Sequence, residues 1–247
     1  MSDPLVSVMM IAYNNVAYLK AAVDSVRKQT YTNWELVIND DCSTDGTWEL
    51  AQKLAEADPR IRAFQNERNL KTPGNRAAAA KHLNGEFVGH LDADDMLYPY
   101  AIEHMMAFFA ANPDVALAYS DMADINIKSK VTGYRAHPDE SPNLSSHGWR
   151  HFGVYRMSAY KDTEGYNAKL TQGCEDGDLF LQIAEKHKFV RIPEVLYAYR
   201  SHGENNSTKN HKCESCPDRP VCNYVRIWSK HAGFDPVTFK PLEKAEA

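Results

Sequence analysis

Phe87-Val88-Gly89-His90-Leu91-Asp92-Ala93-Asp94-Asp95 passes from five largely apolar residues straight into three carboxylates. The pattern predicts a buried strand over Phe87–Leu91, because a strand covered on both faces reads as a short continuous apolar run. Asn84-Gly85 just before it is a stop signal for a preceding helix. Beyond it, Tyr98 to Ala111 is amphipathic through Ile102, Met105 and Phe109, and Pro113 ends it. A strand therefore delivers the chain into an acidic turn. Ligands of open α/β sheets bind there, beyond the strand C-termini.

Outward from this strand the same alternation recurs. Leu5 to Ile11 is apolar on both sides, as a parallel strand should be, and Tyr13-Asn14-Asn15 opens a helix carrying Val16, Leu19, Val23 and Val26 at helical spacing. A strand from Trp34 to Asn39, a helix from Thr47 to Ala57 and a strand from Ile61 to Phe64 follow, and Pro73-Gly74 introduces the next helix through Ala77 to Ala80. Strand and helix in turn are the signature of βαβ units and a mostly parallel sheet. Val115 to Tyr119 reads as a fifth strand, and Asp121 to Gly148 as a loop-rich stretch of the kind that is functional or mobile. An aromatic stretch (Trp149 to Tyr160), a helix from Glu175 to Glu185 and a strand from Val190 to Tyr199 complete the pattern.

Asp92 and Asp94 are two apart, so strand alternation can project both carboxylates to one side, with Asp95 next to them. Carboxylates at that density call for a divalent cation, and Mg²⁺ or Mn²⁺ typically joins one or two of them to substrate phosphates. Taken alone, the run reads equally well as acids at the start of the following helix. A second acidic cluster, Glu175-Asp176-Gly177-Asp178, supplies carboxylates able to take a proton from an attacking hydroxyl. His202, in Tyr199-Arg200-Ser201-His202 after a strand, could join a metal or a diphosphate.

With these segments in order, the sequence resembles the family 2 glycosyltransferases of GT-A fold. The matching stretches are Val6-Ser7-Val8-Met9-Met10-Ile11-Ala12-Tyr13-Asn14, Ile38-Asn39-Asp40-Asp41-Cys42-Ser43-Thr44-Asp45-Gly46-Thr47, Gly85 to Asp95, Glu175-Asp176 and Tyr199 to His202. The resemblance implies an α/β, Rossmann-like, mostly parallel sheet flanked by helices. Residues 1–205 would form the domain, with a nucleotide-binding half over 1–120 and an acceptor and catalytic half over 121–205. It implies an inverting, metal-assisted hexosyl transfer from a nucleotide-diphosphate sugar, usually a UDP-sugar, to a hydroxyl of a glycan, a lipid-linked saccharide or another acceptor. By the same resemblance Tyr13 stacks on the base, with Ile11 and Ala12 offering backbone contacts, and Asp41 hydrogen-bonds the base. Arg76 lies near base or phosphate, and Asp92, Ala93 and Asp94 form the D-x-D signature. Asp94 or Asp95 binds Mn²⁺ or Mg²⁺ with His202, Asp176 is the general base and Glu175 helps to hold the acceptor. Ile11 stands where the family often has Thr or Pro, and Cys42 where Gly or Asn is common. Trp149, His151 and Phe152 are candidates for acceptor contact.

Residues 206–247 lie outside the resemblance and carry His211, Cys213, Cys216 and Cys222, an H-x-C-x₂-C-x₅-C spacing. It is expected to hold a structural Zn²⁺, an iron–sulfur cluster being the lesser reading. The odd count of five cysteines argues against a disulfide framework. The net charge of −5 gives no reason to expect general nucleic-acid affinity. No apolar run approaches a transmembrane span, and Met1-Ser2-Asp3-Pro4 does not resemble a signal peptide, so a cytoplasmic protein is expected. Two alternatives stand: a sugar-phosphate nucleotidyltransferase, which would need a Gly-rich phosphate loop where Ala12-Tyr13-Asn14-Asn15 stands, and a non-catalytic sugar-binding protein of the same fold.

Overall fold

Strand β1 (Val6–Ala12) is buried along nearly its whole length and lies between two parallel neighbours, β2 (Trp34–Asp40) and β4 (Phe87–Asp92). A computed structural model describes residues 3–136, 152–170 and 175–203. From β1 the chain crosses through helix α1 (Val16–Arg27) to β2, then through α2 (Thr47–Ala57) to β3 (Ile61–Gln65) on the outside of β2. It then returns through α3 (Lys71–Ala79) to β4 on the other side of β1. The order of strands therefore reverses at β1, and the crevice above its C-terminal end is the switch point where such sheets bind ligands.

The second half adds β5 (Met96–Leu97), α4 (Ala101–Ala111), β6 (Val115–Ile125), β7 (Val131–Arg135), β8 (Gly153–Arg156), α5 (Met157–Lys161), α6 (Glu175–Ala184) and β9 (Lys188–Arg200). The sheet runs β3-β2-β1-β4-β8-β6-β9-β5, with β7 paired to the far end of β6. Parallel pairing holds from β3 to β4 and between β6 and β9; β8, β5 and β7 pair antiparallel. Alternation along the central strands sends Val8, Met10, Leu36, Ile38 and Leu91 to the face covered by α1, α2 and α4. Met9 and Val88 point to the other face, where Ala79, Tyr155, Leu179, Phe180 and Ile183 cover them. Both faces are thus closed by helices, as the apolar strands require.

At the opposite edge from the crevice, Glu35 is buried beside Ser7 and the turn before β4. It accepts from Ser7 Oγ (2.5 Å), Asn84 N–H (2.7 Å) and Arg62 (2.7 Å), while Gly85 N–H donates to Ser7 Oγ (2.7 Å). Burial works against the Glu35 charge, yet these hydrogen bonds outweigh it and hold the carboxyl below its usual range.

Three details differ from the sequence pattern. The stretch from Asp121, read as loop, continues β6 to Ile125 and returns as β7, joined by a turn at Asn126–Lys130. Its polar residues are paired across the sheet, Asp124 with Arg135 and Asp121 with Arg191, so polarity there marks ion pairs rather than loop. Helix α4 starts at Ala101, after a short β5, with Tyr100 at its N-cap and no side-chain cap. The acidic run is therefore not the start of that helix. Helix α3 begins at Lys71, ahead of Pro73, a first-turn position that has no N–H to satisfy. Among the described residues no helix is long and apolar enough to cross a membrane.

Candidate active site

The register brings the ends of three strands level: Ile11 opposite both Asn39 and Asp92, and Ala12 opposite Asp40. The loops leaving β1 and β2 are laced together. Asn14 N–H donates to Ser43 Oγ (2.9 Å), Thr44 N–H to Asn14 Oδ1 (2.9 Å) and Asn15 N–H to Thr47 Oγ1 (2.8 Å). On this platform Tyr13 is half exposed. Asp41 is buried beside it; its N–H donates to the Ala12 carbonyl (2.8 Å), and its Oδ1 accepts from Asn66 and from Leu70 N–H, both at 2.8 Å. Below Asp41 three amides interlock, Asn39 and Asn66 both donating to Asn75 Oδ1 at 2.7 and 3.0 Å. Cys42 sits at φ 62°, in the left-handed region that favours Gly or Asn.

The acidic run separates into three environments. Strand β4 ends at Asp92, so strand alternation does not extend to Asp94. Asp95 N–H donates to the Asp92 carbonyl (3.1 Å), closing a turn with Asp94 at its crest. Asp92 Oδ1 accepts from Arg76 (3.2 Å). Asp94 Oδ2 lies 2.9 Å from His202 Nε2, and the His202 ring rests against Tyr18 at 4.9 Å. Asp95 is 1% exposed; its oxygens accept from Tyr197 Oη (2.6 Å) and Arg200 N–H (2.7 Å). Arg200, also buried, donates to the Asp94 carbonyl (2.6 Å) and to Ser129 Oγ in the β6–β7 turn (3.0 Å). Burial and then the neighbouring Asp92 push the Asp94 carboxyl up, opposed by His202; burial, Asp94 and Asp92 push Asp95 up further.

From Asp92 a small cleft leads to α6. Its lining includes Arg76, His90, Asp92, Asp176, Phe152 and Tyr197. Arg76, buried, bridges the two acidic segments by donating from Nε to Glu175 Oε1 (2.8 Å) and from Nη2 to Asp92, while its Nη1 is buried without a partner. Burial works against the Arg76 charge, but Glu175, Asp92 and Asp176 together raise it above its ordinary range. Glu175 is pushed up to about 7, by burial first and by adjacent Asp176, with Arg76 opposing. Asp176 reaches the cleft with one oxygen accepting from Gly177 N–H (2.7 Å).

The chain matches "Glycosyl transferase family 2" over residues 7–164, well over half its length. It belongs to glycosyl transferase family 2. The β1, β2 and β4 segments all lie inside the matched stretch, whereas α6 and β9 lie beyond it. Among family 2 relatives, a chondroitin synthase from Pasteurella multocida is 31% identical over 84% of this chain; the chain spans 22% of that relative's length. S. aureus TarS 1–349 in complex with UDP-GlcNAc has the same fold, with a TM-score of 0.75 at 20% identity over 92% of this chain and 65% of that one. The mannosyltransferase PcManGT from Pyrobaculum calidifontis, in complex with GDP-Man and Mn²⁺, superimposes with a TM-score of 0.66 at 17% identity over 85% of this chain and 61% of that one.

The described positions named from the sequence fall at the ends of the central strands and on residues bonded to them. Ile11, Ala12, Tyr13 and Asp41 stand at the ends of β1 and β2, and Asp92, Asp94 and Asp95 at the end of β4, with His202 on Asp94. Arg76 joins Asp92 to Glu175, with Asp176 next to it, and Ala93 is buried in the core. Arg76 sits on the acidic side of the crevice, between Asp92 and Glu175, with neighbouring Asn75 beneath Asp41. Among the described residues, no three His, Cys, Asp or Glu side chains form a ready metal cage. His211, Cys213, Cys216, Cys222, Trp149 and His151 lie outside the described residues. Sequence reading missed His90, Tyr197, Asn75 and the buried role of Arg200. His90 carried a usable signal, since it stands two before Asp92 on the same strand. Tyr197 and Asn75 had none, because their partners are 102 and 36 residues away.

Proposed function

We propose that this chain is an inverting glycosyltransferase moving a sugar from a UDP-sugar to an acceptor hydroxyl. The observation that carries this reading is the Arg76 bridge, which ties Asp92 at the end of β4 to Glu175 beside Asp176, with the Tyr13 and Asp41 loops leaving strands whose ends are level with Asp92. On this reading the uracil ring stacks on Tyr13, edged by the Ile11–Ala12 backbone, and Asp41 Oδ2 accepts its N–H while Oδ1 stays tied to Asn66 and Leu70. A pre-built platform of this kind lowers the ordering needed on binding.

The donor set suits Mn²⁺ or Mg²⁺. Asp94 is a carboxylate raised by burial and like charge, hence short of positive charge nearby, and a hard cation with phosphate oxygens supplies it. Asp94 would hold the ion together with the diphosphate, with His202 beside them; once bound, the ion offsets charge on the departing nucleotide diphosphate. Asp95, with both oxygens engaged, fixes the turn rather than reaching outward. Asp176 accepts the acceptor hydroxyl's proton as that oxygen bonds to the anomeric carbon; the bond from that carbon to the diphosphate breaks, and its electron pair leaves with the nucleotide. Arg76 holds Asp92 at the donor end and Glu175 beside Asp176, which makes Glu175 a positioning residue. A panel of nucleotide sugars, each with and without Mn²⁺, tests the proposal. At least one UDP-sugar should be hydrolysed or transferred only with the ion, and no turnover of any member would overturn it.

A further inference from the structure

Asn75 stands at the centre of α3, just before three alanines that favour a helix far more than it does, and it is buried. A buried amide in a helix interior is kept where its hydrogen bonds are needed. Its Nδ2 donates to the Asn39 carbonyl (3.1 Å) at the end of β2, with the Ala12 carbonyl of β1 3.5 Å away. Carbonyls take only a donor, so these two fix which way the amide faces. Its Oδ1 is then turned to Asn39 Nδ2 (2.7 Å) and Asn66 Nδ2 (3.0 Å). That fixes Asn66 in turn, whose Nδ2 also donates to Asp41 Oδ1 (2.8 Å). Hydrogen-bond direction thus runs from the strand ends through Asn75 and Asn66 to Asp41. Leu70 N–H, at the N-cap of the same helix, supplies the second bond to Asp41 Oδ1 (2.8 Å). Among the described residues nothing donates to Asp41 Oδ2, which stays open to solvent although the residue as a whole is 2% exposed. A carboxylate oxygen so placed accepts an N–H and repels a lone pair. Uracil offers an N–H at its N3, where cytosine carries a lone pair.

We infer that Asn75 is a positioning residue for donor selection: by fixing Asn66 it aims Asp41 Oδ2 at the base and so favours uracil over cytosine. The inference rests on the proposed function in placing the base at Asp41, and extends it to a side chain buried beneath that site. Calorimetric titration of the full chain with UDP and with CDP, each with Mn²⁺, tests it. The wild type should bind UDP at least about tenfold more tightly than CDP, the scale of one hydrogen bond against an acceptor left unpaired. Asn75→Ala should weaken UDP about tenfold and CDP by less than about threefold, so that the preference collapses. A merely structural defect would weaken both nucleotides alike. Asn66→Ala, which removes the next link, should also collapse the preference. The double variant should lose no more than about twofold beyond either single one, because both side chains act along one path. Should Asn75→Ala not fold, Asn75→Ser decides the matter, since its hydroxyl is one bond shorter and falls short of Asn66. A UDP preference that survives either Asn75 variant, losses that add in the double variant, or equal loss of both nucleotides in both Asn75 variants overturns the inference alone. A wild type that binds CDP as well as UDP, or binds neither, overturns the assignment of the base to Asp41 and the inference with it.

Discussion

Asp94 and Asp95 are adjacent in sequence but sit in different environments, and on the proposed function single substitutions should separate their roles. Asp94 is partly exposed at the turn crest and makes one side-chain contact to His202, so Asp94→Asn removes charge while the fold loses little. Metal-dependent turnover of the active UDP-sugar should drop by about 10²-fold or more, with thermal stability nearly unchanged. Asp95→Asn leaves one of two buried hydrogen bonds badly matched and should destabilise by about 1–3 kcal/mol, read as a lower urea midpoint. The reverse pattern would exchange the two roles. Cys42 offers a gain: at φ 62° it bears left-handed strain that Asn tolerates, so Cys42→Asn should stabilise by up to about 1 kcal/mol, a rise of about 2–4 °C in Tm. The positions around Asp41, Asp92, Asp94 and Asp176 were legible in the sequence because each lies in a short local pattern. The different environments of Asp94 and Asp95 were not, since they are set by Tyr197 and Arg200, about a hundred residues away.

Elements position the site by close approach, and β8 against α6 is the tightest case. A Cβ on Gly153 would lie 2.3 Å from the Phe180 ring, inside the helix that carries Glu175 and Asp176. Gly153→Ala should therefore cost about 1–3 kcal/mol by overpacking and push α6 outward. If Asp176 is the general base as proposed, a shift of about 1 Å there should lower turnover by about 10²-fold. Gly153→Ala combined with Phe180→Leu should recover stability, because the second change vacates the ring's space; no recovery would mean that the clash lies elsewhere. At this scale β1 to β4, the first half of β6 and the helices between them followed from apolar patterning, since buried parallel strands and amphipathic helices announce themselves. The β6–β7 hairpin did not. Its residues are polar because Asp121 and Asp124 pair with Arg191 and Arg135, and nothing local distinguishes a paired carboxylate on a strand from one in a loop. Strand β5 is two residues long, too short for any periodicity, and exists through its pairing with β9.

Across the molecule, buried carboxylates at the two ends of the sheet give stability a pH dependence with opposite signs. At the end that closes the turn before β4, Glu35 is held below its ordinary range, so its contribution is complete above the usual carboxylate pKa and is lost as pH falls through its depressed folded value. At the ligand end, Glu175 is raised from 4.5 to about 7. Between those values the folded chain keeps a proton that the unfolded chain has released, so stability declines as pH climbs from about 4.5 towards 7 and levels off above it. Urea unfolding at intervals from about pH 2 to 8 should trace both limbs. Glu175→Gln should reduce the upper limb, to which the raised Asp94 and Asp95 also contribute, and leave the acid limb. Glu35→Gln should reduce the acid limb, shared with Asp45 and Asp58, and leave the upper one. The Glu175 part of the upper limb arises because burial and the adjacent Asp176 raise that carboxyl against the opposing charge of Arg76. If Glu175→Gln kept the wild-type slope between pH 5 and 7, the burial of Glu175 would not be the origin of that limb. The tension between the acidic crevice and the stability of the sheet would then have to lie in another group.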